Sequence, residues 1–204
     1  MSGRGLFVVL DGVDGCGKST QARGLVRTLE ARGRSVLHVR EPGSTALGEA
    51  LRALLLDGRE EFDATTEVLL FAAARRHLLV HVIEPALQSG KDVVCERFHA
   101  STFAYQGAAG GFGDVRALTF LREFTGVDAP DLEVVLDVDP AAAAARRGGD
   151  RDRIERRGAA YQARVAAAYR DYVLHVRNAR LVDASGSVDE VATRVLAEVD
   201  RVRR

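Results

Sequence analysis

The sequence predicts a single α/β domain in which a parallel β-sheet is covered by helices on both faces. Short runs of aliphatic and β-branched residues alternate with longer segments of helical periodicity, as in chains built from strand-helix-strand units. The strand-like runs are almost continuously apolar, which is typical of strands buried on both faces. With 204 residues the chain is long enough for one well-packed core, so we expect residues 1–204 to form one domain.

Five segments are predicted to form the sheet. They are LFVVL (6–10), SVLHV (35–39), DVVCE (92–96), LEVVLDV (132–138) and RLVDA (180–184). Open parallel sheets bind their ligands at the carboxyl ends of the strands. The residues that follow these segments are therefore the first candidates for a functional site.

The clearest predicted helix is the segment TEVLLFAAARRHLLVHVIEPALQS (66–89). Thr66 is its predicted N-cap, and Gly90 ends it shortly after Pro85. This segment is predicted to be one continuous helix.

Two further helices are predicted in the second half of the chain. One follows Pro140, where an alanine-rich run begins, and the other starts near Ala159. A very basic, glycine-containing segment, RRGGDRDRIERRG (146–158), separates them. We expect this segment to be mobile.

The composition excludes several classes of function. Hydrophobic residues make up 47% of the chain and charged residues 28%, as in an ordinary soluble protein. Lys plus Arg and Asp plus Glu number 29 each, so no overall positive field favours binding to nucleic acid. No segment is long enough to cross a bilayer, and we expect no membrane partner.

The cysteines and the N-terminal segment predict a cytoplasmic protein. Cys16 and Cys95 are too few for a disulfide framework and form no C-x-x-C pair, so free thiols are expected. The first residues, MSGRGLFVVLDG, lack the apolar stretch and the small-residue cleavage site of a signal peptide.

The stretch LDGVDGCGKSTQ (10–21) carries the spacing Gly-x-x-x-x-Gly-Lys-Ser of a phosphate-binding loop. Such a loop, placed between a strand and a helix, surrounds a phosphate with backbone N–H groups and the positive end of a helix dipole. Lys18 adds positive charge, and Ser19 adds a hydroxyl for Mg²⁺. The predicted phosphate and ATP ligands all belong to this loop: Gly12, Gly15, Cys16, Gly17, Lys18, Ser19 and Thr20.

The loop alone does not distinguish a kinase from an ATPase, a GTPase or a nucleotide-dependent switch. A GTPase would need a guanine-reading Asn-Lys-x-Asp segment, and the sequence contains none. Motifs elsewhere in the chain have to distinguish a kinase from an ATPase or a switch.

Four further motifs occur in a fixed order: REPGST (40–45), FAAAR (71–75), ERFHASTFAYQG (96–107) and DRIE (152–155). Together with the phosphate loop, this set resembles the bacterial thymidylate kinases through nearly the whole chain. The resemblance implies a P-loop NTPase fold with a five-stranded parallel sheet and a short mobile lid at about 146–157. It also implies ATP-dependent phosphorylation of dTMP to dTDP, a requirement for Mg²⁺, and a homodimer.

Phe71 and Arg75 are four residues apart on a predicted helix and therefore share a face. The resemblance implies that Phe71 stacks on the pyrimidine and that Arg75 hydrogen-bonds a carbonyl of the base. It implies that Arg97 grips the 5′-phosphate of the acceptor, that Asp14 takes its 3′-hydroxyl, and that Tyr105 crowds the 2′ position. The full set of implied dTMP-binding residues is Asp14, Arg40, Glu41, Pro42, Phe71, Arg75, Arg97, Ser101, Thr102, Tyr105 and Gln106.

The family supplies a catalytic arginine either from the phosphate loop or from the lid. Residues 13–16 contain no basic side chain here, so the resemblance implies a lid arginine. Arg147, Arg151 and Arg153 are the candidates, and Arg151 and Arg153 are preferred. The implied catalytic set is Lys18, Glu96, Arg97, Arg151 and Arg153, with Ser19 and Glu96 as the Mg²⁺ ligands, directly or through water.

The chain departs from the family pattern at two positions. Glu96 precedes Arg97 where the family usually has Asp, and Ser44 stands where it usually has a second Gly. These departures leave open the alternative that the protein is a kinase for another deoxypyrimidine monophosphate or for a 5-modified one. A non-catalytic ATP-binding switch module is the alternative from a different class.

Overall fold

The computed structural model describes residues 3–57, 60–125, 130–146 and 153–203. Its single sheet has five parallel strands, as the sequence predicts, and their order is β2-β3-β1-β4-β5. The strands are β1 (Phe7–Gly12), β2 (Val36–Arg40), β3 (Asp92–Glu96), β4 (Leu132–Asp137) and β5 (Ala179–Asp183). Because β1 is central, the loop that follows it lies between the ends of β3 and β4.

Helices connect the strands and cover the sheet. They are α1 (Lys18–Ala31), α2 (Ala46–Arg52), α3 (Ala64–Leu78), α4 (Glu84–Gln88), α5 (His99–Thr102), α6 (Asp114–Phe124), α7 (Pro140–Arg146), α8 (Ala159–His175) and α9 (Val188–Val202). Three π-helical turns (Ala53–Asp57, Leu79–Ile83 and Phe103–Ala108) and a 3-10 turn (Glu155–Arg157) complete the described elements. None of the helices in the described ranges is long and apolar enough to cross a membrane.

The alternation of side chains along β1 separates the core into two layers. Val8 and Leu10 belong to the larger cluster on one face, and Phe7 and Val9 belong to a second cluster on the other face. All four side chains are at most 1% exposed, which explains why the strand reads as a continuous apolar run.

The prediction of one helix over 66–89 is wrong in two details. Asp63, not Thr66, is the N-cap, and its carboxylate accepts a hydrogen bond from the Thr66 N–H at 2.9 Å. The segment is divided by the π-turn at Leu79–Ile83, which directly precedes α4 and its Pro85. Proline has no N–H to donate and its ring presses on the carbonyl four residues earlier, so the wider turn accommodates it.

The helices predicted after Pro140 and near Ala159 are present as α7 and α8. The predicted lid (146–157) is described only at its two ends, by Arg146 and by residues 153–157. Arg147 and Arg151, two of the three predicted lid arginines, lie outside the described residues.

Candidate active site

The loop between β1 and α1 begins and ends with glycines that the backbone requires. Gly12 has φ +135°, and a Cβ there would lie 2.6 Å from the carbonyl oxygen of Leu136 in the adjacent strand β4. Gly17 has φ +100° and caps α1. The Lys18 ammonium lies within the loop and donates to the carbonyls of Gly12 and Val13, each at 2.9 Å.

Glu96 ends β3 directly beside the start of α1. Its carboxylate accepts a hydrogen bond from the Ser19 hydroxyl and lies 3.0 Å from the His38 Nε2 atom. Burial raises the pKa of Glu96, but the hydrogen bonds from His38 and Ser19 outweigh that effect, and the pKa is lowered overall. The extra methylene of Glu relative to the family's Asp does not prevent this contact.

A hydroxyl and a carboxylate in contact with each other are a pair of oxygen ligands that suits Mg²⁺. Mg²⁺ is held by one or two carboxylates, substrate phosphates and water, not by a complete cage of protein ligands. The described residues contain no cluster of three or more His, Cys, Asp or Glu side chains arranged for a metal. Ser19 and Glu96 match the few protein ligands that Mg²⁺ needs when substrate phosphates and water supply the others.

A pocket opens beside the phosphate loop at the carboxyl end of β3. It contains all the predicted acceptor residues except Arg40, which is half exposed and forms an ion pair with Glu49 at 3.2 Å. Arg52, Leu56 and Ile154 also line the pocket, and the sequence reasoning missed them. The lining residues are Asp14, Glu41, Pro42, Arg52, Leu56, Phe71, Arg75, Arg97, Ser101, Thr102, Tyr105, Gln106 and Ile154.

Arg75 is only 1% exposed and lies at the inner wall of this pocket. Its Nε donates to Glu41 at 2.7 Å, and its Nη2 donates to the carbonyl of Phe98 and to the Thr102 hydroxyl. Its Nη1 has no hydrogen-bond partner among the described residues. Burial raises the pKa of Glu41 to about 7 although Arg75 opposes the shift.

Arg97 follows β3 and has φ +67°, a conformation that few non-glycine residues adopt. Its guanidinium is bound to Asp14, donates to Ser101 at 3.0 Å and lies over the ring of Tyr105. Tyr105 in turn donates to Asp14 at 2.9 Å. The predicted phosphate-binding and sugar-binding residues thus form one connected group.

Asp11, which the sequence reasoning missed, supports this group from below. It is fully buried at the end of β1, and its carboxylate accepts from the N–H groups of Phe98 and Ser101 at 3.0 Å. It also accepts from the hydroxyls of Ser101 at 2.8 Å and Tyr169 at 2.7 Å. The only signal in the sequence is an acidic residue at the end of an otherwise apolar strand.

Residues 153–157 of the lid segment approach the acceptor pocket, whereas Arg146 lines the pocket over the phosphate loop. Arg153 donates to Glu67 at 2.7 Å and to the carbonyl of Leu55 at 2.9 Å, and Arg157 also binds Glu67. In this structure Glu67 holds the Arg153 guanidinium beside the acceptor pocket. A catalytic role would require Arg153 to leave Glu67, and it stays a prediction.

A second pocket lies over the phosphate loop and reaches the segment between β5 and α9. Gly186 and Ser187 of that segment form its far wall, together with Arg146 and with Val188 at the start of α9. Asp14 lines both pockets, so the two are neighbours across the loop. The sequence reasoning missed this wall because small residues after a final strand carry no motif.

The comparisons with known proteins agree with this architecture. The family profile described as thymidylate kinase matches residues 10–195. The chain is 40% identical to a thymidylate kinase of Ruegeria pomeroyi, with all of both chains covered. It is 42% identical to a thymidylate kinase of Symbiobacterium thermophilum, over 97% of this chain and 94% of the relative. It is 46% identical to one from Verminephrobacter eiseniae, over 84% of this chain and 80% of the relative. On this similarity, the chain belongs to the thymidylate kinase family.

Proposed function

We propose that the protein transfers the terminal phosphoryl group of ATP to dTMP, which yields dTDP and ADP. The observation that carries the proposal is the pair of pockets that share Asp14, one built on the phosphate loop and the other lined by all the expected acceptor residues except Arg40. In this proposal residues 1–204 act as one catalytic domain.

The acceptor side is suited to a deoxypyrimidine monophosphate. The Phe71 ring forms an apolar wall, and the Arg75 guanidinium in the same pocket is the proposed donor to a base carbonyl. Arg97 offers a planar guanidinium to the 5′-phosphate, with Asp14 and Tyr105 beside it for the sugar. Arg40, Glu41, Pro42, Ser101, Thr102 and Gln106 complete the proposed dTMP site.

The proposed mechanism depends on positioning and charge neutralisation. Phosphoryl transfer needs little covalent chemistry from the protein, and the aligned groups lower the barrier by holding donor and acceptor in line. The loop from Gly12 to Thr20 would bind the phosphates of ATP, with Lys18 toward the terminal ones. Ser19 and Glu96 would hold Mg²⁺, which neutralises phosphate charge when bound.

A lid arginine is the remaining element of the proposed mechanism. Because the phosphate loop carries no basic residue at 13–16, Arg151 or Arg153 would supply the charge that neutralises the transferring phosphoryl group. An arginine in this role is worth about 10³ to 10⁵ in rate.

The homodimer is part of the proposal. Exposed apolar side chains on α2, α3, α6 and the π-turn after α2 are suited to pack against a second copy: Leu47, Leu54, Leu69 and Phe124. The two free cysteines, Cys16 and Cys95, are compatible with a reducing compartment, and we include a cytoplasmic location.

The first experiment measures phosphoryl transfer to a panel of acceptors. Purified protein, ATP and Mg²⁺ are mixed in parallel with dTMP, dUMP, dCMP, UMP and 5-hydroxymethyl-dUMP, and ADP and the diphosphate products are followed. Fastest conversion of dTMP is expected. A preference for the 5-modified nucleotide would shift the substrate, and ATP binding without any transfer would favour a switch module.

The Lys18→Ala variant tests the phosphate loop within the same assay. Turnover should fall by at least about 100-fold, while dTMP binding, measured by calorimetry, should stay nearly unchanged. Lys91→Ala, at an exposed position before β3, is the matched control. Turnover close to wild type in Lys18→Ala would contradict the assignment of the loop.

A further inference from the structure

Glu67, near the start of α3, is a buried carboxylate that the proposed chemistry does not use. It is 1% exposed, and its two oxygens have different partners. Oε1 accepts from Arg153 at 2.7 Å and from Arg157, whereas Oε2 accepts from the side-chain amide Nε2 of Gln106 at 3.1 Å. The two arginines occupy one oxygen and leave the other to Gln106.

This contact fixes the orientation of the Gln106 amide. A glutamine side chain can present either its NH₂ group or its carbonyl oxygen, and only its partners decide which. A carboxylate only accepts hydrogen bonds, so Gln106 must turn its NH₂ group to Glu67. Gln106 lines the acceptor pocket, and no donor among the described residues bonds its side-chain carbonyl oxygen, Oε1. The oxygen is therefore the polar atom that Gln106 offers to a ligand.

The pocket then presents one acceptor and one donor to the edge of a pyrimidine. The acceptor is the side-chain carbonyl of Gln106, and the donor is the guanidinium of Arg75, which also lines the pocket. Thymine and uracil carry an N3–H donor beside a 4-keto acceptor, which complements this pair. Cytosine carries an N3 acceptor beside a 4-amino donor, which places like groups against each other.

We propose that Glu67 is a positioning residue that makes the site selective for 4-keto pyrimidines. It acts through Gln106, whose amide it orients, and Arg153 and Arg157 hold it in place from the end of the lid segment. The inference rests on the proposed function, because it assumes that the acceptor pocket binds a pyrimidine monophosphate. It concerns the hydrogen-bonding edge of the base and not the 5-methyl group.

The test is the ratio of kcat/KM for dTMP to kcat/KM for dCMP. In Glu67→Gln the new amide both donates and accepts, so Gln106 is free to turn. The ratio should fall by about 10-fold, because a buried donor or acceptor that loses its partner weakens binding of the matched base by about that factor. Glu61→Gln, the same change at an exposed position before α3, is the control and should leave the ratio unchanged.

A second background separates positioning from a general effect on structure. Gln106→Met removes the amide, so adding Glu67→Gln to it should lower the ratio no further. A ratio that is unchanged in Glu67→Gln, or one that falls equally in both backgrounds, overturns the role of Glu67. A wild-type protein that does not phosphorylate dTMP overturns the proposed function instead.

A measurement on the wild-type protein decides the case if Glu67→Gln does not fold. The side-chain NH₂ resonances of Gln106, assigned by their loss in Gln106→Met, should exchange slowly with solvent because the group is bound to a buried carboxylate. Rapid exchange of these hydrogens would show that the amide is not held and would overturn the inference.

Discussion

Arg75 and Glu41 form a buried ion pair in which each charge neutralises the other. Arg75 and Glu41 are 1% and 2% exposed and meet at 2.7 Å beside the acceptor pocket. Removing one member of such a pair leaves the other without its counter-charge in a low-dielectric site. The pair therefore links the acceptor site to the stability of the protein.

Arg75→Met should lower the free energy of unfolding by about 3 kcal/mol, because it leaves Glu41 and Thr102 without the guanidinium. The measurement is urea unfolding followed by circular dichroism. Arg76→Met, one position along the same helix at an exposed site, is the control and should change stability little. Equal unfolding midpoints for the two variants would contradict the importance of the pair.

The site residues differ in how far the sequence could predict them. Phe71 and Arg75 were accessible because they lie in a motif that resembles the family's, and helical spacing places them on one face. Asp11 and Glu67 were not, since their partners lie far along the chain: Asp11 bonds Tyr169, and Glu67 bonds Arg157. A carboxylate in an apolar context signals burial, but only the fold reveals its partner.

At the scale of elements, the three central strands β1, β3 and β4 were predicted closely because burial on both faces gives them a continuous apolar pattern. The edge strands β2 and β5 are only partly buried. The irregular turns were not predicted. The π-turns at Ala53–Asp57 and Phe103–Ala108 carry Leu56, Tyr105 and Gln106 into the acceptor pocket. A local change from 3.6 residues per turn leaves no clear periodicity, and such turns are frequent at functional sites.

The start of α9 offers a test at this scale. Ser187 accepts from the N–H of Glu190, and Glu190 returns a bond to the N–H of Ser187, which is a complete capping box. Ser187→Ala should lower the free energy of unfolding by about 1 kcal/mol, measured in urea. Ser185→Ala, in the same loop but outside the cap, is the control. A variant as stable as the control would contradict the contribution of the cap.

At the scale of the whole molecule, the pH dependence of stability reflects acids buried in the core. Glu133, in β4, is fully buried and accepts from the Tyr172 hydroxyl, and burial raises its pKa to about 8. Between its ordinary pKa of 4.5 and about 8, the folded state holds a proton that the unfolded state has released. Raising the pH in this range therefore favours unfolding.

Glu133→Gln should remove this part of the pH dependence. Between pH 5 and pH 8, the free energy of unfolding should fall more steeply with rising pH for the wild type than for the variant. The two slopes should differ by up to about 1.4 kcal/mol per pH unit. Denaturant titrations across this range measure both slopes. Glu123→Gln, on the exposed face of α6, is the control. Parallel curves for wild type and Glu133→Gln would contradict burial of an acid here. Glu41 also makes stability fall as the pH rises, and it does so in both the wild type and Glu133→Gln. The difference between their two slopes therefore reports on Glu133 alone.

The hydroxyls of α8 have a consequence for how the protein moves. Tyr161 donates to the carbonyl of Tyr105, Tyr169 to Asp11 and Tyr172 to Glu133, so one helix is fastened to the acceptor wall and to two strands. Because these three hydrogen bonds lie at different positions along α8, they oppose tilting of the helix when the residues before it move. Gly158 stands immediately before it with φ +90° and with no atom within 4 Å of a would-be Cβ. Gly158 therefore gives residues 153–157 a position at which the backbone can turn while α8 stays bound to the strands.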